Sequence, residues 1–374
     1  GGVVVVVACG VALCIWSPSF GLLVVGRLLE ALAVGIIFPS FQTVLLTITP
    51  QTQRGAVMGT AGLVMGSALA VGPIISGVLL TWFSWRALFA LFLLVSIGVL
   101  IASTRTIRDV MTLTPSRLDW LSVILAASFP ALLYVLSTAT HTGFTLGLLI
   151  IAIVAILAAV WFVRRQWHQE KPLLQLRVLQ TSQFTLAVFL TGISYIGLIV
   201  TTIIMPLYFQ TILKVSPLIS GLSLVPAAAL LSVLNPRAGK MLDTFGPRRV
   251  VMIGMSLIVV GFVGLTLLAG HLPLWLAIVW AMVVEAGNAF VMMPAVTTGA
   301  NALPKALLSD GTAVTTTARQ LLGSLGVAMA TVILQQVQTV TGQPIAGFRA
   351  TFFVFAIVGL CGWLLSLRLP KQRA

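Results

Sequence analysis

The sequence predicts an all-α protein of about twelve membrane-crossing helices, and three observations carry that reading. Of its 374 residues, 59% are hydrophobic and only 7% charged, against roughly 25% charged residues in a soluble globular domain. The apolar residues fall in continuous runs of about 18 residues or more, the length that crosses ~30 Å of hydrocarbon at about 1.5 Å per helical residue. Segments of about ten residues with alternating polarity, the mark of a membrane barrel, do not occur.

In chain order the spans are predicted at 2–16, 20–47, 55–82, 86–103, 119–139, 144–163, 183–208, 217–236, 250–270, 274–296, 311–337 and 350–368. The first is a valine-rich run, and the second carries Glu30 and Pro39 before the Thr49-Pro50 turn closes it. Gly55 opens the third, a helix rich in small residues, and Ser84-Trp85-Arg86 precedes the fourth. The fifth and sixth lie between loops holding Arg105, Arg108 and Arg117 on one side and Arg164, Arg165, Lys171 and Arg177 on the other. Beyond Arg177 come six more spans, broken by the basic loop 237–249 and by the Leu303-Pro304 turn, after which Gly311 opens the eleventh.

A formal charge of +14 and an isoelectric point near 11.3 would suggest a nucleic-acid binder in a soluble protein. Here, however, sixteen of the 21 basic residues lie in alternate loops and the tail, against Arg86, Lys214 and Arg349 on the opposite face. Such asymmetry is the positive-inside pattern. It predicts a multi-pass protein of the cell membrane with both ends of this chain in the cytoplasm, and it excludes nucleic acid as a partner. The three cysteines, Cys9, Cys14 and Cys361, are scattered in apolar spans without metal-like spacing, so they read as packing residues and no metal site is expected.

The chain opens Gly1-Gly2-Val3-Val4, without methionine, basic leader or cleavage site, and so reads as a fragment. An internal repeat supports this expectation. Glu30-Ala31 followed by Pro39 recurs as Glu285-Ala286 followed by Pro294, with the same interval from Glu to Pro. Parallel repeats of this kind build the two halves of many transporters. The second copy has two spans and a basic cluster ahead of it, so two further spans are expected ahead of residue 1, making fourteen in an intact chain. The predicted organisation is therefore 1–103 as the last four spans of an N-terminal six-helix bundle, 104–181 as a two-span insert, and 182–374 as a C-terminal six-helix bundle.

Of the seven acidic residues, Glu30 and Glu285 lie inside spans. An ionisable group near mid-bilayer costs about 2.5–3.5 kcal/mol on insertion scales, so it usually faces a bundle interior and marks a transport or proton path. Arg27 stands three residues before Glu30, on one helix face, which fits a structural ion pair as well as a gating one. Glu285 has no basic residue within four positions; burial disfavours the charged form of a lone carboxyl, as a group that loads and releases protons requires. Arg319, among Thr315, Thr316 and Thr317, is predicted to contact Glu285 or an anionic or polar substrate.

The third span holds Gly59, Gly62, Gly66, Gly72 and Gly77, with Pro73 after Gly72, a composition for close helix packing and a kink. The loop Gly239 to Arg249 is short and charged, and Asp243 within it is suited to accept from arginines or from a helix N-terminus as a cytoplasmic latch. HExxH, GxSxG, P-loop and CxxC motifs are all missing. Enzymatic chemistry and self-contained ATP-driven pumping are therefore not expected.

These residues resemble the major facilitator superfamily, and within it the fourteen-span drug:proton antiporter family of the EmrB, QacA and LmrB type, over essentially the whole chain. Gly239, Asp243, Gly246, Arg248 and Arg249 match its G-x-x-x-D-x-x-G-x-R-R/K signature loop. Gly59, Gly72, Pro73 and Gly77 are similar to its antiporter motif, with Ala68 and Ser76 in place of two glycines. Gly26-Arg27-Leu28-Leu29-Glu30-Ala31 resembles a G-R-x-x-Q-G segment whose arginine is implicated in proton transfer. Ser84-Trp85-Arg86 and the segment Ala318 to Gly323 are further points of similarity.

The resemblance implies a major facilitator fold and proton-coupled export of amphipathic drugs or similar small molecules. Arg27 and Glu285 would couple transport to protons, with Glu30 and Arg319 in support. The proton gradient would be the energy source and no cofactor would be used; the partners would be the lipid bilayer, a small-molecule substrate, protons and accessory export proteins. The alternatives are a transporter of the same fold for one metabolite, such as an amino acid, siderophore or natural antibiotic, and a transport-inactive fragment or membrane scaffold.

Overall fold

A computed structural model describes residues 2–106, 119–142, 145–170, 172–270 and 273–371. Arg108, Arg117 and Lys171 of the sequence reading lie outside them.

The described residues are helical, with no strand among them. The helices are α1 (Gly2–Trp16), α2 (Phe20–Ile48), α3 (Arg54–Trp82), α4 (Arg86–Thr106), α5 (Trp120–Ala126), α6 (Ser128–Thr142), α7 (Leu146–His168), α8 (Ser182–Thr211), α9 (Pro217–Leu222), α10 (Val225–Phe245), α11 (Pro247–Leu268), α12 (Leu274–Asn301), α13 (Leu308–Thr341) and α14 (Pro344–Ser366). Among the described residues, eleven spans are long and apolar enough to cross a membrane, and α1 is a shorter apolar helix of the same character.

Two of these spans are made of paired helices, α5 with α6 and α9 with α10. Proline sets both breaks. Pro130 and Pro226 have no N–H to return to the carbonyls of Ala126 and Leu222, and the chain tightens into i→i−3 bonds from Ala127 to Ile124 (3.1 Å) and from Leu224 to Gly221 (3.2 Å). The Gly72-Pro73 pair, predicted to kink the third span, lies inside α3 without ending it. Outward-facing side chains such as Leu157, Leu267 and Leu364 are apolar and exposed, as a surface solvated by lipid requires.

The chain divides into two compact units, Gly1–Val44 with Val71–Ser116, and Leu45–Ala70 with Arg117–Ala374. In the first, α1 packs on α4 and on α2, and Arg86 at the start of α4 donates to the carbonyls of Ile15 and Ser17, both at 3.1 Å. That arginine satisfies carbonyls left open at the C-terminal end of α1. In the second, α8, α11, α12 and α14 enclose a core centred on Tyr208, Phe262, Phe348, Phe352 and Phe355.

The pair α5–α7 is stapled by polar groups at its basic end. Asp119 caps α5 and accepts from Arg165 Nε at 2.9 Å and Nη2 at 3.2 Å, while Gln169 Nε2 donates to it at 3.0 Å. The Arg165 guanidinium, followed by the Ser122 hydroxyl, holds the Asp119 carboxyl well below the usual carboxylate range. A carboxyl whose affinity for protons is lower in the folded state stabilises it above its unfolded pKa, and that stabilisation is lost as pH falls. Thermal unfolding of Asp119→Asn is therefore expected to show a lower Tm than the parent at pH 7 and a shrinking difference as pH drops below about 4. A constant difference across that range would mean that packing, not the ion pair, is what the substitution removes.

Candidate functional site

Glu285 sits in the middle of α12 and is 5% exposed. Asn288, one turn later and fully buried, donates through Nδ2 to Glu285 Oε2 at 3.2 Å. Ser194 of α8 donates to Asn288 Oδ1 at 2.8 Å, which fixes the amide with its N–H groups toward the carboxyl. The carboxyl that the sequence reading left alone therefore has an amide donor, held by a hydroxyl from a second helix.

Arg319 of α13 is 3% exposed, and its guanidinium lies over the ring of Tyr195 at 5.0 Å from the centroid. The Tyr195 hydroxyl donates to Gln320 Oε1 at 2.9 Å. Arg319 was expected to contact Glu285 or an anionic or polar substrate; the contact described here is a cation–π one with the ring of Tyr195. Ser194 and Tyr195 are adjacent on α8 and point to different neighbours. One side chain steadies the acid on α12, and the other lies under the cation on α13.

In the first unit, Arg27 donates through Nη1 to Glu30 Oε2 in a close ion pair. Arg27 is 59% exposed along its side chain while Glu30 is largely covered. The Cys14 thiol donates to Glu30 Oε1 at 3.5 Å, so this cysteine, read as packing, also touches the acid. Cys9 and Cys361 are exposed on their helices.

Within the second unit the signature loop closes on the start of α3. Asp243 accepts from the backbone N–H of Gly55 (3.0 Å) and Ala56 (2.8 Å), two donors left open in the first turn of that helix. Arg54 donates through Nη1 to Asn301 Oδ1 at 2.9 Å and through Nε to the Thr49 carbonyl at 3.3 Å. Further along, Asn235 Nδ2 donates to the Gly62 carbonyl at 3.3 Å and Ser232 Oγ to the Leu63 carbonyl at 2.6 Å. Backbone approaches this close need glycine: a Cβ at Gly59 would lie 2.6 Å from the Asn235 carbonyl oxygen. At Gly72, of the same motif, a Cβ would meet no described atom within 4 Å. Gly246 ends α10 with φ +80°, a conformation that favours glycine, and Pro247, Arg248 and Arg249 open α11.

Replacing Asp243 by Asn keeps the shape and removes the charge at the α3 N-terminus. A drop of about 0.3–1 kcal/mol in unfolding free energy is expected, read as a lower urea midpoint in detergent. An unchanged midpoint would show that the cap contributes nothing there.

Lipid-length apolar helices, with ionisable groups buried among them and apolar side chains exposed, define a multi-pass membrane protein. The sequence profile described as Major Facilitator Superfamily matches residues 1–119 and 118–327. The chain is 35% identical over 366 residues to the uncharacterized MFS-type transporter YcnB of Bacillus subtilis, covering 96% of this chain and 78% of that one. It is 34% identical over 372 residues to the lincomycin resistance protein LmrB of Listeria monocytogenes, with 96% and 79% covered. Among solved structures, the human organic anion transporter MFSD10 superposes with a TM-score of 0.67 at 17% identity, over 97% of this chain and 75% of that one. The proton:xylose symporter XylE does so with a TM-score of 0.66 at 14% identity, over 99% and 79%. The chain belongs to the major facilitator superfamily, a family of transporters and not of enzymes.

Proposed function

We propose that this chain is a proton-coupled exporter, an antiporter that moves amphipathic drugs or similar small molecules out across the cell membrane. The observation that carries the reading is the buried Glu285, held by Asn288 and Ser194 inside the helix bundle. An acid in that position is suited to take up and release a proton as its surroundings change. Arg319, also buried, and the Arg27–Glu30 pair are the further groups that would share this work. The names of relatives support drug export, since LmrB is a lincomycin resistance protein and a 25% identical relative from Mycobacterium tuberculosis is a multidrug resistance protein B homolog.

In this reading residues 1–103 and 182–374 belong to the two halves of the transporter and 104–181 is the insert between them. The loops rich in arginine and lysine face the cytoplasm. The contact of α10 with α3, capped by Asp243, would break and reform as the two halves alternate access. The proton gradient is the energy source, without a cofactor.

The test is efflux of a fluorescent lipophilic dye from cells expressing the protein, with and without an uncoupler. Dye export that stops with the uncoupler supports the proposal, and export that continues unchanged overturns proton coupling. A transporter for a single compound is the second reading, because more than one relative is named for lincomycin alone. Resistance to several chemically unrelated compounds would exclude it.

A further inference from the structure

The second unit contains a cavity of about 510 Å³ where α5–α7 meet α8 and α13, within the roughly 300–1,000 Å³ range of ligand sites. Its walls include Phe129, Phe162, Leu176, Val188 and Leu321. Thr185 and Thr317 are the polar residues of the lining, and the Thr185 hydroxyl is already engaged with the Leu179 carbonyl at 2.5 Å. Nothing in such a lining orients a polar ligand.

The cavity is built rather than incidental. Its floor is the connector from α7 to α8, which contributes Leu174, Leu176 and Leu179. The connector is tied down by the buried Gln166, whose Oε1 accepts from the Leu174 N–H at 3.0 Å and whose Nε2 donates to Ser122 Oγ at 2.6 Å. Val163 and Phe189, also in the lining, are 43% and 51% exposed. Both are apolar and belong to membrane spans, so the opening faces hydrocarbon and the occupant enters from the bilayer.

Charge specifies the rest of that occupant. Arg164 follows Val163 in the chain near the C-terminal end of α7, Arg177 follows Leu176 in the connector that forms the floor, and both arginines are exposed. Arg177 is held in place by the carbonyls of Trp167 (3.0 Å) and Gln169 (3.4 Å). Arg165 is neutralised by Asp119, and Glu170 is the acid of this segment. Basic groups beside apolar clefts between membrane helices bind anionic headgroups.

We infer that this cavity holds one acyl chain of an anionic phospholipid whose phosphate rests on Arg164 and Arg177. The lipid fastens the α5–α7 pair to the helix that carries Arg319.

The experiment is native mass spectrometry of the full chain in detergent, titrated with phosphatidylglycerol or phosphatidylcholine. The parent is expected to retain one phosphatidylglycerol with about tenfold preference over phosphatidylcholine. Ala126→Phe and Val163→Trp enter the cavity from different helices, and either should cut occupancy by about tenfold, so one suffices when the other fails to elute as a single species. Arg164→Gln with Arg177→Gln should abolish the headgroup preference while leaving phosphatidylcholine bound. Parent-like binding in a folded cavity variant would mean that only surface lipid had been measured and would overturn the inference. Loss of a lipophilic dye from the cavity variants with lipid binding intact would overturn it too, in favour of a substrate site.

Discussion

Glu285→Gln is expected to reduce uphill dye export to the level seen with an uncoupler, the largest functional effect of any single substitution in this chain. One proton crossing about 100 mV is worth about 2.3 kcal/mol, which at about 1.4 kcal/mol per tenfold sustains roughly a fiftyfold concentration ratio. Glutamine keeps the volume of the side chain and a carbonyl oxygen for the Asn288 amide, but it cannot carry a proton. Expression and thermal stability should therefore stay near parental values while the accumulation ratio falls toward one. Exchange of dye down its own gradient should persist. Unimpaired uphill export in Glu285→Gln would move coupling to the Arg27–Glu30 pair and would leave Glu285 as a packing residue.

The largest structural effect is expected at Gly239, and alanine is enough to reveal it. A Cβ there would lie 2.8 Å from the Gly55 carbonyl carbon and 3.1 Å from Gly59 Cα. Those atoms are backbone, so no rotamer change relieves the clash, and α10 must move off α3. Overpacking of this kind costs about 1–3 kcal/mol. At Gly35, in α2, a Cβ would meet no described atom within 4 Å, so alanine there should stabilise its helix by about 0.5–1 kcal/mol. The two alanine variants are thus expected to shift the Tm in opposite directions when compared in the same detergent. Matching shifts would remove the close approach of α10 and α3 from the account.

Much of the fold was legible because a bilayer imposes its own length. Spans predicted at 20–47, 55–82 and 274–296 correspond to α2, α3 and α12, and the turns at Thr49-Pro50 and Leu303-Pro304 fall between helices. The small breaks at Ala127 and around Ser223 were not anticipated, because each proline lies within a continuous apolar run. Glu285 and Arg319 stood out because a charge in hydrocarbon is rare. Asn288 and Ser194 did not, since uncharged polar residues are common in spans, although the i+3 spacing of Asn288 from Glu285 was a usable signal. Cys14 was missed for a related reason: its partner Glu30 lies on the next helix.

Spacing also named Asp243 without naming what it touches. Its partners, Gly55 and Ala56, are almost 190 residues earlier in the chain, at separations of 188 and 187. The glycine motif of the third span shows the same limit, since Gly59 is pressed against Asn235 whereas Gly72 meets open space. By itself the sequence determined the order and approximate extent of the apolar spans, because in lipid each span must satisfy its backbone hydrogen bonds internally. Only the tertiary structure decided which helix faces meet. Lipid supplies no hydrophobic force between helices, so their association rests on close packing and individual hydrogen bonds, and those join residues far apart in the chain.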